Sequence, residues 1–446
     1  IAQRNPATGE YGLTSGAYSY EAVWATPMAL SAWALGFLGF GREVEKYLEA
    51  YRHHQGRAKP PSPYLKEHPG YLGNPPTLAA INWFSDHGAI LWAVANHGLL
   101  SMDRKFIARW RDPIVKACEF IRDARRTGGH KGYRGILPPG VANDCDSSSQ
   151  TCWNDAWNHK ALRAAALLLA RIQHPRAGEF RKEADAYRVD FQRAYRDVMV
   201  HAKRWRAEDG TLVPFTPPTL AEAKGFEAAH PFNLDTGACC LVFGELFTAD
   251  DPIMQASLRW LREGPQARLF RRFSSPFQVP VLVKEMSSCE PCYSWNIFHS
   301  LALGDRANFT TGLYSLFAGG ASRENFVACE TREGIFGNCF THGPALMLMR
   351  LAVIEERADD LHLLRMAPRA FFENGGFDWM NVPSLFGPLS IAAKYDEKQR
   401  VLRIDYRGPT RTRPQRTLLH LPPFEEIRQV VLNGKPLPAT SGVIEL

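Results

Sequence analysis

Segments that are apolar on every side alternate along this sequence with segments that are apolar on one stripe only. Residues 22–35, 89–95, 161–172, 238–243 and 345–353 carry almost no charge, so helices formed there would be buried on all sides. Between them lie residues 42–51, 104–126, 180–205 and 252–262, with apolar side chains at i, i+3 and i+4 and charged side chains elsewhere. The pattern predicts about eleven helices. An inner helix followed by an outer helix, repeated, predicts a mainly α chain folded as an (α/α)6 toroid over residues 1–360.

A different pattern begins after residue 360. Short runs with strand-like composition cover residues 389–395, 401–406, 417–421 and 427–432. The last run leads into Asn433-Gly434, a pair that favours a tight hairpin turn. Residues 361–446 are therefore predicted to form a small C-terminal β-domain.

Charge and apolar runs exclude several classes of partner. The 446 residues contain 53 Lys and Arg against 46 Asp and Glu, and the net charge of +7 is small for this length. Because the basic side chains sit mostly on the amphipathic segments, no nucleic acid partner is expected. No run reaches the roughly 18 apolar residues of a membrane span, so no membrane partner is expected. A phosphate-binding loop and a dinucleotide fingerprint are both missing, which predicts no cofactor.

The nine cysteines form no regular disulfide pattern. Cys289 and Cys292 have the CxxC spacing of a zinc site, but no second pair follows at zinc-finger distance. No metal is therefore predicted. The cysteines leave the compartment open, with a secreted or periplasmic location favoured.

In a helical toroid, the loops that lead into the inner helices meet at one end of the ring, where the helix N-termini surround a funnel. Acidic residues stand in these loops: Glu21, Asp86, Asp144, Asp146, Asp155, Asp235, Glu290 and Glu330. Aromatic and polar residues accompany them: Tyr20, Trp24, Trp83, His87, Trp153, Trp157, Trp295, Asn338 and His342. Because the CH face of a sugar stacks on indoles while carboxylates bind its hydroxyls, these residues predict a carbohydrate site.

Several of these acids also have a structural explanation. Asp155 and Asp235 stand where an N-capping side chain would stabilise a helix by about 1 kcal/mol. Asp144 and Asp146 are typical turn residues, and their segment lacks the spaced oxygen ligands and closing Glu of a calcium loop. Glu21 precedes an apolar helix and has tyrosines and a tryptophan nearby, which favours a functional role.

Glu330 lies in a polar turn just before the last apolar helix. A carboxylate there would hold a water molecule against a sugar bound in the funnel. The structural alternative is an ion pair with Arg332, two positions later in the same turn. His342, which follows, is interpreted either as a substrate ligand or as a hydrogen-bonding core histidine.

These residues resemble the six-hairpin glycosidases, and most of all their α-L-rhamnosidase-like group. The segment from Glu21 to Leu30 resembles the acid-then-helix entry to the first inner helix of that family. The run Glu330-x-Arg332, with Asn338 and then His342, resembles the segment in which the general base precedes the last inner helix. The resemblance implies a toroid that is followed by a β-domain. It also implies an enzyme that hydrolyses a terminal glycosidic bond, with Glu330 as general base. Two carboxylates about 6.5–9.5 Å apart would make the reaction inverting.

The chain departs from that family where the general acid is expected. The family has an Asp-Glu-Arg run there, whereas residues 8–19 contain Glu10 as their sole acid. In related toroid hydrolases the acid comes from the loop before the third inner helix, which here contains Asp144, Asp146 and Asp155. The candidates for the general acid are Asp155, Asp144 and Glu21, in that order. Large members of these families carry β-domains before the barrel, and the chain is therefore expected to be a portion of a longer polypeptide.

Two other functions remain open at this point. A toroidal polysaccharide lyase would transfer protons through Tyr and His, for which Tyr293 and His299 are the candidates. A non-catalytic carbohydrate-binding protein would keep the aromatic residues but tolerate loss of every acid.

Overall fold

The structure is a computed structural model, and it describes residues 2–16, 21–142, 148–221, 237–264, 295–321, 327, 342–424, 427–437 and 442–446. These residues contain eleven α-helices. They are α1 (Ala25–Phe37), α2 (Gly41–His53), α3 (Asp86–Ser101), α4 (Arg104–Arg125), α5 (Cys152–Arg171), α6 (Ala177–Val200), α7 (Cys240–Phe243), α8 (Pro252–Glu263), α9 (Trp295–Leu303), α10 (Arg306–Gly320) and α11 (His342–Val353).

Six of these helices form a closed inner ring. In the order α1, α3, α5, α7, α9 and α11, each helix contacts the next, and α11 contacts α1. The other five lie outside the ring: α2 packs on α1 and α3, α4 on α3 and α5, α6 on α5, α8 on α9, and α10 on α9 and α11. The predicted (α/α)6 toroid is confirmed.

Side-chain burial explains why the helices divide in this way. In α3 all but two residues are buried, as its apolar sequence predicts, whereas α2 buries one stripe that includes Val44, Leu48 and Tyr51. Glycines allow the inner helices to approach closely: a Cβ on Gly88 of α3 would lie 2.5 Å from the backbone carbonyl carbon of Trp157 in α5. Within the described ranges, no helix is long and apolar enough to cross a membrane.

Short strands accompany the loops between the helices. β1 (Ala2–Arg4) pairs with β2 (Tyr11–Leu13), and β5 (Arg204–Arg206) pairs with β6 (Leu212–Pro214), both antiparallel. A three-stranded sheet joins β3 (Gly140–Val141), β4 (Ser148–Thr151) and β7 (Thr219–Ala221), with β4 in the middle. This sheet lies directly before α5, so it belongs to the loops that enter the inner ring.

The C-terminal residues form a region of β-structure, as predicted. Its strands are β8 (Ile354–Arg357), β9 (Asp360–Leu363), β10 (Phe377–Val382), β11 (Leu389–Asp396), β12 (Val401–Arg407), β13 (Thr417–His420), β14 (Val430–Leu432), β15 (Lys435–Leu437) and β16 (Val443–Glu445). One sheet has the order β16-β13-β9-β8, with β9 and β13 parallel, and another has the order β10-β11-β12. The hairpin β14-β15 turns at Asn433-Gly434, as predicted. Because β8 precedes residue 360, the domain division placed after that residue stays a prediction.

The β-region packs against the C-terminal ends of the inner helices. The guanidinium of Arg411 donates to the carbonyl oxygens of Leu100 at 3.2 Å and Leu99 at 3.0 Å, in the last turn of α3. Arg365 donates to the carbonyl oxygen of Leu301 in the last turn of α9 at 2.7 Å. Cations at helix C-termini satisfy free carbonyls and complement the helix dipole. A site formed by the inner-helix N-termini therefore lies at the opposite end of the ring.

Candidate active site

The N-terminal ends of the inner helices come together at one end of the ring, as the sequence predicts. The indole N–H of Trp153 in α5 donates to the hydroxyl of Ser85, just before α3, at 3.1 Å. The rings of Trp153 and Trp295, which begins α9, have centroids 5.8 Å apart. We call this end of the ring, where Ser85, Trp153 and Trp295 lie, the mouth.

A cluster of aromatic side chains fills the ring beneath the mouth. The ring of Trp157 has its centroid 5.3 Å from Phe243, 5.8 Å from Trp92 and 6.2 Å from Trp295. Trp153, Trp157 and Trp295, three residues predicted to stack on a sugar, are each 1% exposed. Their rings pack edge-on or tilted against other aromatic rings. These tryptophans therefore form a packed floor of the ring in this structure rather than an open stacking surface.

Asp155 lies in the first turn of α5 but does not cap it. Thr151 is the cap, because its hydroxyl accepts from the backbone N–H of Asn154 at 3.1 Å. The Asp155 side chain is fully buried, and its Oδ1 accepts from the Tyr187 hydroxyl at 2.6 Å and from the Leu137 N–H at 3.1 Å. Burial raises the pKa of this carboxyl to about 7. Since Tyr187 belongs to the outer helix α6, Asp155 points outward from the ring.

Asp86 has a comparable environment in the first turn of α3. Its Oδ2 accepts from the Asn74 amide at 2.7 Å and from the Trp83 N–H at 2.8 Å. The side chain is fully buried, and this burial raises its pKa to about 8. Trp83 itself is 5% exposed. Asp86 and Asp155 therefore do not meet in a common open funnel, which corrects the expectation drawn from their positions before inner helices.

His87, predicted to bind substrate, has both ring nitrogens engaged by the protein. Its Nδ1 accepts from the Leu72 N–H at 3.0 Å, and its Nε2 donates to the Ala117 carbonyl at 3.1 Å. Burial lowers the pKa of this imidazole to about 3, so it is neutral. The ring holds the loop before α3 against the outer helix α4.

Three predicted site residues have exposed or partly exposed side chains. Glu21 is exposed and lies a few residues before α1. Trp24 is the N-cap residue of α1 and is partly buried against the core. His342 begins α11 and is partly exposed. Solutes can reach these side chains, as a role in catalysis or substrate binding requires. Their roles stay predictions.

The remaining predicted residues lie outside the described ranges: Tyr20, Asp144, Asp146, Asp235, Glu290, Tyr293, Glu330 and Asn338. The described residues on either side of 143–147 lie close to the start of α3. Val141 pairs with Ser148 across β3 and β4, and its carbonyl accepts from the Phe84 N–H at 2.9 Å. Since Phe84 comes directly before Ser85, the chain enters residues 143–147 at the mouth, beside the start of α3.

Sequence reasoning missed the side chains that hold the loop before β3. The buried amide of Gln150 accepts from the Tyr133 N–H at 2.8 Å and donates to the Leu137 carbonyl at 2.8 Å. Arg125 donates to the Gly135 carbonyl at 2.7 Å. Gln150 lies in a run of polar residues, and Arg125 ends an amphipathic helix, so the sequence contains no signal that singles them out.

His299, the histidine candidate for a lyase mechanism, is fully buried. Its Nε2 donates to the Ala249 carbonyl at 2.7 Å, and burial lowers its pKa to about 4. Among the described residues, no group of three or more His, Cys, Asp or Glu side chains is arranged to hold a metal ion.

The fold has counterparts among solved structures. An α-L-rhamnosidase from Dictyoglumus thermophilum matches with a TM-score of 0.51 and 12% sequence identity, over 95% of this chain and 45% of that one. A glycosidase variant in complex with glucose matches with a TM-score of 0.48 and 13% identity, over 77% of this chain and 92% of that one. A bacterial glucoamylase complexed with acarbose matches with a TM-score of 0.47 and 11% identity, over 74% of this chain and 48% of that one. No protein-family model and no curated protein matches the sequence.

The closed ring of inner helices defines the chain as a six-hairpin helical toroid with a C-terminal β-region. Its architecture is that of the α-L-rhamnosidase, of whose length the chain spans 45%. At 12% identity this likeness defines the fold, and the activity has to be argued from the site.

Proposed function

We propose that this protein is a glycoside hydrolase that cleaves a terminal glycosidic bond of an oligo- or polysaccharide. The observation that carries the proposal is a toroid like that of an α-L-rhamnosidase, in which the inner-helix N-termini meet at a mouth. In the sequence, acidic residues precede several of these helices. Loops on a rigid scaffold are where catalytic residues concentrate. The β-region contacts the other end of the ring, where the inner helices have their C-termini.

The proposed mechanism uses two carboxylates and inverts the anomeric carbon. Glu330 accepts a proton from the attacking water, and a second acid protonates the leaving oxygen from the other side of the bond. Asp144 is the first candidate for that acid, because Val141 and Ser148 hold the chain on either side of it beside the mouth. Glu21 is the second candidate, since its side chain is exposed. Burial of Asp155 and its bond to Tyr187 of the outer helix α6 argue against a contact between its carboxyl and the leaving oxygen.

A panel of aryl glycosides that includes α-L-rhamnosides and α- and β-glucosides tests the proposal. Release of the aryl alcohol identifies the sugar, and NMR of the first-formed product gives its anomer. We expect one glycoside to be cleaved with inversion. Retention of configuration would contradict the two-carboxylate mechanism with an intervening water, and failure on every glycoside and natural oligosaccharide would contradict hydrolysis itself.

The buried His299 weighs against a lyase. Its imidazole is committed to the Ala249 carbonyl and is neutral, so it has no access to a polysaccharide. A lyase would release an unsaturated product with strong ultraviolet absorbance, and we expect none. A non-catalytic sugar-binding protein would show binding of a panel glycoside without any release of its aryl group.

A further inference from the structure

The loop formed by residues 133–142, here called the platform loop, connects α4 to the mouth. Buried polar side chains hold its backbone at several points. Arg125 binds the Gly135 carbonyl, and Gln150 binds both the N–H and the carbonyl of Tyr133. Near its end, the hydroxyl of Ser62 donates to the Pro139 carbonyl at 2.6 Å. These bonds come from separate parts of the chain, so the platform loop has a single fixed path.

Asp155 also binds the platform loop, because its Oδ1 accepts a hydrogen bond from the N–H of Leu137 at 3.1 Å. The same oxygen is fixed by the Tyr187 hydroxyl, and the Arg125 guanidinium lies 4.4 Å from the centroid of the Tyr187 ring. Arg125 in turn pairs with Asp190 of α6 at 3.1 Å. Asp155, Tyr187 and Arg125 thus form a continuous buried chain that joins α4, α5 and α6 to the loop.

The second carboxyl oxygen of Asp155 is buried like the first. In the described structure its Oδ2 is buried and has no hydrogen-bond partner. Burial favours the neutral carboxylic acid, which has no unpaired charge to desolvate. A fully buried carboxyl that is bonded to an outer helix and to the platform loop is suited to structural support.

We propose that Asp155 is a positioning residue that acts through the platform loop and does not touch the substrate. Its bond to Leu137 holds the loop that delivers the chain to the mouth at Val141. The enzymatic part of this inference rests on the proposed glycoside hydrolase function, and the structural part does not.

Hydrogen exchange of the 133–142 backbone amides tests the structural part without any substrate. We expect Asp155→Ala to raise exchange at Leu137 by roughly tenfold, because a buried hydrogen bond is lost. Asp155→Asn keeps an acceptor oxygen and restores wild-type exchange. Asp185→Ala, at an exposed acid on α6, is the matched control and leaves exchange unchanged. If Asp155→Ala does not fold, Tyr187→Phe removes the neighbouring bond and is expected to raise exchange about threefold.

Kinetics on the glycoside identified by the panel separates positioning from acid catalysis. For a positioning residue, Asp155→Ala lowers kcat equally for good and poor aryl leaving groups, and Asp155→Asn restores most of the rate. A general acid would instead lose roughly 10²–10⁴ in both variants on poor leaving groups and recover on activated ones. Unchanged exchange in Asp155→Ala, or rescue that depends on the leaving group, would overturn the inference. A wild-type protein inactive on all glycosides would refute the proposed function alone, since the exchange result stands by itself.

Discussion

Replacing Asp86 by Asn is expected to change how the stability of the protein depends on pH. Burial raises the pKa of the folded-state carboxyl to about 8, against an ordinary value of 3.8 in the unfolded chain. Between these values the folded state binds a proton that the unfolded state does not, so stability falls as pH rises. The contribution is fully present below about pH 4 and is lost by about pH 8. At about 1.4 kcal/mol per pKa unit, it amounts to several kcal/mol across this window.

Urea unfolding of wild type and Asp86→Asn at pH 5, 6, 7 and 8 measures this contribution. The asparagine amide does not titrate, so we expect the free energy of unfolding to fall less steeply with pH in the variant. Asp155 has a raised pKa as well, so part of the slope remains. Asp103→Asn is the control, because Asp103 is exposed to solvent with a lowered pKa and an asparagine also caps a helix. Parallel stability curves for wild type and Asp86→Asn would refute a protonated Asp86.

Three further predictions concern catalysis, ring packing and the β-region. Glu330→Gln should reduce kcat by roughly 10²–10⁴ with an unchanged melting temperature; near wild-type turnover would make Glu330 structural. Gly88→Ala should lower the melting temperature by several degrees, because its Cβ would lie 2.5 Å from backbone of α5, whereas Gly36→Ala, with open space around it, should not. Arg411→Ala should cost about 1–3 kcal/mol in urea unfolding, because it frees the last carbonyls of α3, and a loss no larger than that of the exposed Arg403→Ala would contradict this.

The sequence predicted the ring because burial on all sides and burial on one stripe leave different hydrophobic patterns. That distinction is local, so α3 and α2 could each be assigned from their own residues. The closing contact between α1 and α11 followed from the repeat rather than from any pairing signal. The β-structure after residue 360 was predicted in the same way, from alternation and the Asn433-Gly434 turn.

The roles of individual site residues could not be predicted in this way. An aspartate beside aromatic residues at a helix start has the same local sequence whether it caps the helix, anchors a loop or donates a proton. The role depends on the hydrogen-bond partner of the carboxyl. Asp155 binds Tyr187, which lies 32 positions later on the buried stripe of an outer helix. Likewise, the tryptophans were predicted to stack on sugar, but helices from several hairpins bring Trp157 and Trp295 against each other. Such contacts depend on the assembled ring.

The arginines at the base of the ring also constrain the order in which this protein can be assembled during translation. Arg411 binds a carbonyl of α3 that lies 311 positions earlier in the chain. When α3 emerges from the ribosome, most of this polypeptide, including Arg411, has therefore not yet been synthesised. The contact between α11 and α1 likewise comes late. Apolar inner helices such as α3 stay incompletely packed throughout this interval. Because exposed apolar surface promotes aggregation, we expect chaperones to bind the nascent chain.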